Sequence, residues 1–400
     1  MTQSPTAGNR TPALKRSLGI VAGVCLALGL ALVASPATAA PGDEHLAGLE
    51  YVALGDSYAS GFGLTPITNL PAPECAQATQ NYPHQVADEL GLTLTDVSCS
   101  GAETANLTTT PQPVAVATTV PIQNAALSET TEIVSVTIGG IDLGYVDILT
   151  NCAAISPAGP VVAGTTTCEE FYNPGGVDSL AAAIDGPVTT ALVSTFAAIA
   201  AAAPNATIFV VGYPALTPST IPDGGCFRDA VGAFTPPFPE NAYPFTDVDV
   251  AYLHTVEVRF DEAIADAAEI VDAAVPAEVT YLSSLADTYA HSGCATEDSY
   301  IEGITLTGFI PGAPPTIELA PGAMHPNAAG VGYLAGQLQN AIRAAFPAPE
   351  VPDDPDTAGD LLPATGTDAS GTLIITSLAL LLAGGFAVLL RRTVSARARS

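Results

Sequence analysis

Five short apolar runs, rich in β-branched and aromatic residues, alternate along the chain with longer stretches of helical pattern. Consecutive strands that are separated by helices pair in parallel, and helices then cover both faces of the sheet. The alternation predicts an α/β protein, a three-layer α/β/α sandwich around a doubly wound sheet of five parallel strands. The predicted strands are Glu50–Leu54, Leu92–Val97, Ile133–Ile138, Thr207–Val211 and Val279–Leu282.

Four long helices are predicted between and after these strands. The third carries Glu257, Asp261 and Glu262, which we place on its solvent-facing side. Two Pro-rich loops, at about 213–245 and 292–324, are too long for simple connectors and are candidates for a substrate-binding rim. The predicted helices are Tyr82–Leu90, Val177–Ala203, Val248–Ala274 and Asn327–Ala345.

The N-terminal end has the three parts of a secretory signal peptide. Basic residues precede an uncharged apolar run at Leu18–Ala34, and small residues follow it. We expect cleavage near Ala39 or Ala40, so residues 1–40 are interpreted as the signal peptide. The alternative, a retained membrane anchor, is disfavoured by the small residues that end the run.

The C-terminal end carries a pentapeptide, an uncharged stretch and a basic tail, in that order. The pentapeptide resembles the LPxTG sorting signal of Gram-positive surface proteins, which sortase cleaves between Thr and Gly before joining Thr365 to peptidoglycan. The uncharged stretch is long enough to cross a bilayer, and the arginines keep the tail in the cytoplasm. We therefore predict covalent attachment to the cell wall rather than a plain membrane anchor. The three parts are Leu362-Pro363-Ala364-Thr365-Gly366, residues 369–390 and residues 391–400.

Between these ends we expect one domain at 45–346, followed by a Pro- and Asp-rich wall spacer at 347–361. Of the 40 acidic residues only Asp368 lies beyond the sorting motif, whereas the exported part keeps just three arginines, Arg228, Arg259 and Arg343. A surface with so much negative charge repels nucleic acid and favours neutral substrates. We expect no nucleic-acid partner and a monomer.

Six cysteines fall within the exported part, and no two have the CxxC spacing of a redox or metal motif. An even number in an oxidising compartment indicates three disulfide bonds. Many connectivities are possible, and we adopt the pairing of sequence neighbours. The pairs are Cys75 with Cys99, Cys152 with Cys168, and Cys226 with Cys294.

Ligands of such sheets collect at the carboxyl ends of the strands, so the residues that follow each strand are candidates for chemistry. Gly55-Asp56-Ser57 follows the first strand and puts Ser57 at a strand-to-helix turn, where a hydroxyl can attack a carbonyl. The structural alternative is a helix N-cap. Gly101 follows the second strand and can bring a backbone N–H close to a ligand, although most such glycines only make turns.

Two further segments complete the set. Gly139-Gly140-Ile141-Asp142 follows the third strand, and Met324-His325-Pro326-Asn327 precedes the last helix. His325 could act as general base toward Ser57, whereas a lone histidine is more often structural.

Together, these four loops in this order resemble the SGNH, or GDSL-type, esterase and lipase family, in particular its secreted actinobacterial branch with three disulfides. The resemblance extends from Tyr51 to Ala335. It implies a flavodoxin-like sheet, Ser57 as nucleophile, His325 as base and then acid, and the N–H groups of Ser57 and Gly101 as oxyanion donors. It also implies the sequential disulfide pairing. No cofactor or metal is required, and the implied substrates are esters of lipids, short acyl groups or acetylated sugars.

Two positions depart from the family pattern. Ile141 stands where the family has an oxyanion-hole Asn, and an isoleucine side chain cannot donate. Gly322 stands three residues before the histidine, where the family often has the Asp that orients it. A backbone carbonyl at Gly322 could accept the imidazole N–H instead. We therefore expect a Ser–His dyad with weakened oxyanion stabilisation.

These departures keep two other hypotheses open beside ester hydrolysis. One is a catalytically silent scaffold that serves as a surface binding or adhesion module, which the retention of both Ser57 and His325 opposes. The other is acyl transfer to a surface glycan rather than to water, which the same site could perform.

Overall fold

The computed structural model describes residues 42–156, 159–160, 166–227, 240–310 and 316–349. The predicted signal peptide, sorting motif, membrane-spanning stretch and basic tail lie outside the described residues, as does the spacer beyond residue 349.

A central sheet of five parallel strands forms where the apolar runs predict it. The observed ends differ from the predicted ones by one residue at most. The strands are β1 Glu50–Gly55, β2 Thr93–Asp96, β3 Ile133–Thr137, β4 Thr207–Val211 and β5 Glu278–Leu282.

The strand order is β2-β1-β3-β4-β5, so the chain reverses direction across the sheet between β1 and β3. The register aligns Val52, Val134, Ile208 and Val279 in one row across four strands. All four are buried on one face, while neighbours along the strands such as Tyr51, Ile133 and Phe209 are buried on the other. Burial on both faces explains why the strands read as nearly continuous apolar runs.

Ten α-helices are assigned among the described residues, and those that pack on the sheet form two outer layers. They are α1 Ser57–Ser60, α2 Tyr82–Leu90, α3 Thr104–Thr108, α4 Tyr145–Cys152, α5 Cys168–Tyr172, α6 Ser179–Ala183, α7 Thr189–Ala202, α8 Asp247–Asp272, α9 Leu285–Thr288 and α10 Ala328–Ala345.

Helices α2 and α10 cover one face of the sheet, through side chains such as Val86 and Leu338. Helices α3, α7 and α8 cover the other face, through Leu107, Phe196 and Ile264. This confirms the predicted three-layer α/β/α sandwich, with the catalytic candidates at the carboxyl edge of the sheet between the two helix layers.

The second predicted helix is interrupted. A π-helical turn at Ile184–Val188 separates α6 from α7. Pro187 lies inside it, and a proline removes a backbone donor and clashes with the preceding turn of an α-helix. The stretch Ser179–Ala202 is long and apolar enough to span a bilayer, yet residues such as Leu192 are fully buried under the sheet. It is a core helix of the domain.

The three disulfide bonds have the predicted sequential pairing. Cys226–Cys294 joins the two long loops that follow β4 and β5, and an isolated bridge between Ala242 and Ile304 ties them again. Short antiparallel hairpins lie elsewhere in the loops. They are Gln112–Ala115 with Thr118–Val120, Ala154–Ser156 with Gly159–Pro160, and Leu306–Ile310 with Thr316–Leu319.

Candidate active site

Ser57 is the first residue of α1, directly at the carboxyl end of β1. Asp56, not Ser57, is the N-cap, because its carboxylate accepts the N–H of Tyr58 at 2.9 Å. The turn needs Gly55, whose φ is 139°, since a Cβ there would lie 2.5 Å from the Thr137 carbonyl oxygen. With the cap supplied by its neighbour, the Ser57 hydroxyl is free to bond elsewhere.

The imidazole of His325 supplies that bond. Its Nε2 atom lies 2.8 Å from Ser57 Oγ, and its Nδ1 atom lies 2.8 Å from the Ala323 carbonyl oxygen. A carbonyl can only accept, so Nδ1 carries the proton and Nε2 accepts from the serine hydroxyl. Both residues are buried, with 6% and 8% of their surface exposed. The fold thus brings together the two residues that the sequence paired.

The charge state of His325 follows from its surroundings. Burial lowers the pKa of the imidazole to about 4, and the hydrogen bond to Ala323 opposes the shift only in part. Its side chain contacts the rings of Tyr58, Phe62 and Tyr145 and bonds to no carboxylate among the residues that the structure describes. The imidazole is therefore neutral at pH 7, the form that can remove a proton.

The prediction that Gly322 orients the histidine is wrong in its detail. The carbonyl that accepts the imidazole N–H belongs to Ala323, while that of Gly322 accepts the backbone N–H of His325 at 3.0 Å. Gly322 has a φ of 88° and packs against Gly63, whose Cα would lie 3.1 Å from an added Cβ. A side chain such as the family's Asp is disfavoured here by both the backbone conformation and the space.

Two backbone amides predicted as oxyanion donors are available for a ligand. Neither the N–H of Ser57 nor that of Gly101 bonds to another described residue. Gly101 has a left-handed φ of 78°. Its loop is tied beside the nucleophile, because the N–H of Cys99 donates to the Gly55 carbonyl at 3.0 Å.

The residues after β3 do not replace the missing Asn with another side-chain donor. Ile141 lines the cavity beside Ser57 with an apolar side chain. The carboxylate of Asp142 turns toward α3, where it accepts the N–H of Thr104 at 3.1 Å and its hydroxyl at 2.5 Å. Both of its carboxylate oxygens are therefore engaged at the amino end of a helix.

A cavity of about 100 Å³ lies beside Ser57, between α4 and α8. Most of its walls are aliphatic or aromatic, which suits an acyl chain. Its lining includes Ile141, Tyr145, Ile148, Leu149, Tyr213, Leu216, Leu253, Val256, Glu257 and Phe260.

The position of Glu257 on α8 differs from the predicted one. We placed it on the solvent side, but its carboxylate lines the cavity and accepts the N–H groups of Leu216 and Thr217 at 2.5 and 3.2 Å, and the Thr217 hydroxyl. Burial raises the pKa of Glu257 to about 7 in spite of these bonds. Of its two acidic neighbours, Asp261 is half-buried and Glu262 is exposed.

Tyr213 is a site residue that the sequence analysis missed. Its hydroxyl donates to Asp56 Oδ2 at 2.5 Å and accepts the N–H of Gly140 at 3.0 Å. It thereby links the ends of β1, β3 and β4. Burial raises the pKa of Asp56 to about 7, against the bonds from Tyr213 and Tyr58. The signal was present, because Tyr213 lies two residues beyond β4, at the sheet edge where ligands collect.

Two other tyrosines hold the turn that carries the histidine. The hydroxyl of Tyr58 donates to the Met324 carbonyl at 2.8 Å, and that of Tyr145 donates to the same oxygen. Among the described residues no group of three or more His, Cys, Asp or Glu side chains is arranged to hold a metal ion.

Comparison with known proteins assigns this arrangement to a family. Residues 53–332 match the GDSL-like lipase/acylhydrolase family. Lipase 2 of Streptomyces coelicolor is 32% identical over 336 residues, 83% of this chain and 98% of its own length. An esterase of Streptomyces scabiei is 30% identical over 76% of this chain and 86% of its own.

The fold is shared with a solved structure. The extracellular lipase of Streptomyces rimosus superposes with a TM-score of 0.52 at 23% identity, over 74% of this chain and all of its own. The sequence relatives, the match of 53–332 and the Ser57–His325 geometry agree. The chain belongs to the GDSL-like lipase and acylhydrolase family and, with it, to the serine ester hydrolases.

Proposed function

We propose that the protein hydrolyses carboxylic esters through a Ser57–His325 dyad. The observation that carries the proposal is the 2.8 Å contact between His325 Nε2 and Ser57 Oγ, with the Nδ1 proton fixed by the Ala323 carbonyl. A neutral imidazole in this tautomer accepts the serine proton as Oγ attacks the ester carbonyl.

The reaction proceeds in two halves. In the first, the Ser57 oxygen adds to the carbonyl carbon, and the tetrahedral intermediate collapses as His325 returns the proton to the leaving alcohol. In the second, His325 takes a proton from water, the hydroxide displaces the acyl group, and the proton passes back to Ser57. The imidazolium that forms is stabilised only by the dipole of the Ala323 carbonyl and not by a carboxylate. A slower rate than that of a triad enzyme is therefore expected.

The N–H groups of Ser57 and Gly101 are the proposed oxyanion donors. Both amides are free of other described partners, and donors of this kind stabilise the charge that forms on the carbonyl oxygen. With Ile141 in place of the Asn, we infer a hole with two backbone donors and a reduced rate.

Short, uncharged acyl esters are the proposed substrates. An apolar cavity of 150 Å³ holds benzene, so the cavity of about 100 Å³ beside Ser57 suits an acyl chain of roughly four carbons. Esters of lipids with short chains and acetylated sugars outside the cell fall in this class.

Attachment to the cell wall is the second part of the proposal. The order of pentapeptide, uncharged stretch and arginines supports sortase cleavage after Thr365 and its transfer to peptidoglycan. Fractionation of a Gram-positive host that has sortase tests it. The wild-type protein should be released by wall digestion, and Thr365→Ala should move to the membrane or medium. Equal fractionation of the two would refute wall attachment.

The hydrolase proposal is tested with a fluorophosphonate probe and p-nitrophenyl acetate and butyrate, beside a Ser57→Ala variant of equal thermal stability. We expect labelling and turnover of the wild type alone. Wild-type protein that neither reacts with the probe nor exceeds the Ser57→Ala rate would favour the surface binding module.

A further inference from the structure

The turn that carries His325 is held in an uncommon backbone conformation. Met324, the residue before the histidine, has a φ of 61° although it is not glycine, and its side chain is 1% exposed. A residue in this region persists only where its surroundings determine it. The flanking backbone is fixed by Glu302, which accepts the N–H of Met324 and donates to the His325 carbonyl, both at 2.8 Å.

The Met324 carbonyl is the group through which two side chains bond to the turn. It accepts hydrogen bonds from the hydroxyls of Tyr58 and Tyr145, whose oxygens lie 3.1 Å apart. Burial raises the pKa of both phenols, so both stay protonated and able to donate. Their rings also contact the imidazole, with centroids 5.0 and 5.9 Å from that of His325.

The two tyrosines come from different parts of the site. Tyr58 follows the nucleophile on α1, so its bond ties the base to Ser57. Tyr145 opens α4, and its ring lines the cavity together with Ile148 and Leu149 of the same helix. An acyl chain in the cavity therefore packs against the Tyr145 ring, whose hydroxyl bonds to the turn that carries His325.

We propose that Tyr145 is a positioning residue for His325. An acyl chain in the cavity packs against the Tyr145 ring and thereby fixes the position of the His325 imidazole. The inference rests on the proposed ester hydrolysis and adds to it a reason for chain-length dependence. A longer chain, by ordering the Tyr145 ring, holds Nε2 in line with Ser57 Oγ.

Tyr145→Phe tests the proposal, because it keeps the ring and the cavity wall and removes only the hydroxyl. We expect kcat for p-nitrophenyl butyrate to fall about tenfold with KM changed less than about twofold, since a small displacement of a catalytic group costs rate more than binding. The kcat ratio of butyrate to acetate should fall toward one.

The matched control is Tyr252→Phe. It removes a buried phenol that donates to Asp178 at 3.1 Å and that does not itself line the cavity. It should lower thermal stability without changing the butyrate-to-acetate ratio. Wild-type kcat values for both esters in Tyr145→Phe, or a change that the control reproduces, would overturn the proposal.

A second variant keeps the proposal testable if Tyr145→Phe does not fold. Tyr58→Phe removes the other hydroxyl from the Met324 carbonyl, and a similar fall in kcat at constant KM is expected. Full kcat in a folded Tyr58→Phe would equally overturn the proposal. If the wild type itself turns over no faster than Ser57→Ala, it is the ester hydrolysis that fails, so the two results are distinguishable.

Discussion

The Nδ1 atom of His325 lies 2.8 Å from the carbonyl oxygen of Ala323. In a serine triad this place is taken by a carboxylate, which both selects the tautomer and stabilises the imidazolium. A carbonyl does the first and offers only a dipole for the second. With no charge to hold a second proton, the buried imidazole keeps its low pKa, and the pH dependence of the enzyme should show it.

On the acid side, kcat/KM is predicted to fall with a midpoint near pH 4. Burial lowers the pKa of His325 from its ordinary value of 6.5 to about 4, so the base stays neutral until the pH falls through that value. Release of p-nitrophenol from the butyrate ester, quantified by chromatography between pH 3 and 8, measures it, with thermal melts to show that the protein is folded at each pH. A midpoint near 6.5 would mean that a solvated imidazole is the base.

Ile141→Asn is predicted to raise kcat. The side chain faces the cavity beside Ser57, and an amide there would add a donor whose loss elsewhere costs about a hundredfold. We expect a gain of about tenfold on p-nitrophenyl butyrate, because the surrounding loop is not built to aim the amide. Ile141→Leu, which adds no donor, is the control. An equal or lower rate in Ile141→Asn would show that another group already fills the role.

Gly63→Ala is predicted to damage both stability and activity. A Cβ on Gly63 would lie 2.3 Å from the Cα of Gly322, so the turn that carries His325 must move. Gly48→Ala is the matched control, since Gly48 has a φ of 87° and no atom within 4 Å of an added Cβ. It should cost about 1 kcal/mol of unfolding free energy and leave kcat unchanged. Equal effects of the two variants on kcat would mean that the Gly63 contact does not position the histidine.

Glu257→Gln is predicted to gain stability relative to the wild type as the pH rises. Burial raises the pKa of Glu257 from 4.5 to about 7, so the folded state binds more protons than the unfolded state between these values. The stability that Glu257 contributes is therefore complete below its ordinary pKa and is lost as the pH rises through about 7. Glutamine cannot ionise, so Tm of Glu257→Gln minus Tm of the wild type should be larger at pH 8 than at pH 5.

The matched control for that series is Glu262→Gln, an exposed position on the same helix. It should show the same difference in Tm at both pH values. A pH-independent difference for Glu257→Gln would contradict the burial of its carboxylate.

The negative charge that repels polyanions is predicted to raise kcat/KM for a cationic ester at low salt above that for a neutral ester of the same shape. The described part contains two arginines, Arg259 and Arg343, paired with Asp185 and Asp43, and two positive charges offset little of the excess of acid. Butyrylcholine and its neutral carbon isostere form a matched pair of the same shape. We expect kcat/KM for the cationic ester to fall severalfold with added salt and that for the isostere to stay constant. Equal salt responses would exclude electrostatic attraction.

The fold could be predicted from local patterns, and the pair Ser57–His325 from the four loops that resemble the GDSL-type family. Strands buried on two faces read as continuous apolar runs, and residues that follow strands collect at one edge. Glu257 could not be placed in this way, because helical periodicity does not show that loop amides at Leu216 and Thr217 will satisfy a carboxylate inside a cavity.

The choice between two neighbouring carbonyls was also beyond the sequence. Ala323 and Gly322 differ as partners of the imidazole only through the backbone turn, in which both Gly322 and Met324 adopt positive φ. For Met324, which is not glycine, such a conformation depends on hydroxyls that arrive from Tyr58 and Tyr145, far away in the chain.

The contact between Ser57 and His325 joins positions 268 residues apart, and the base precedes α10, the last helix packed on the sheet. A chain emerging from the ribosome thus carries its nucleophile almost from the start and lacks the base until nearly all of the domain has been made. Ester hydrolysis by the proposed dyad can therefore serve as a read-out of complete synthesis and folding of the domain.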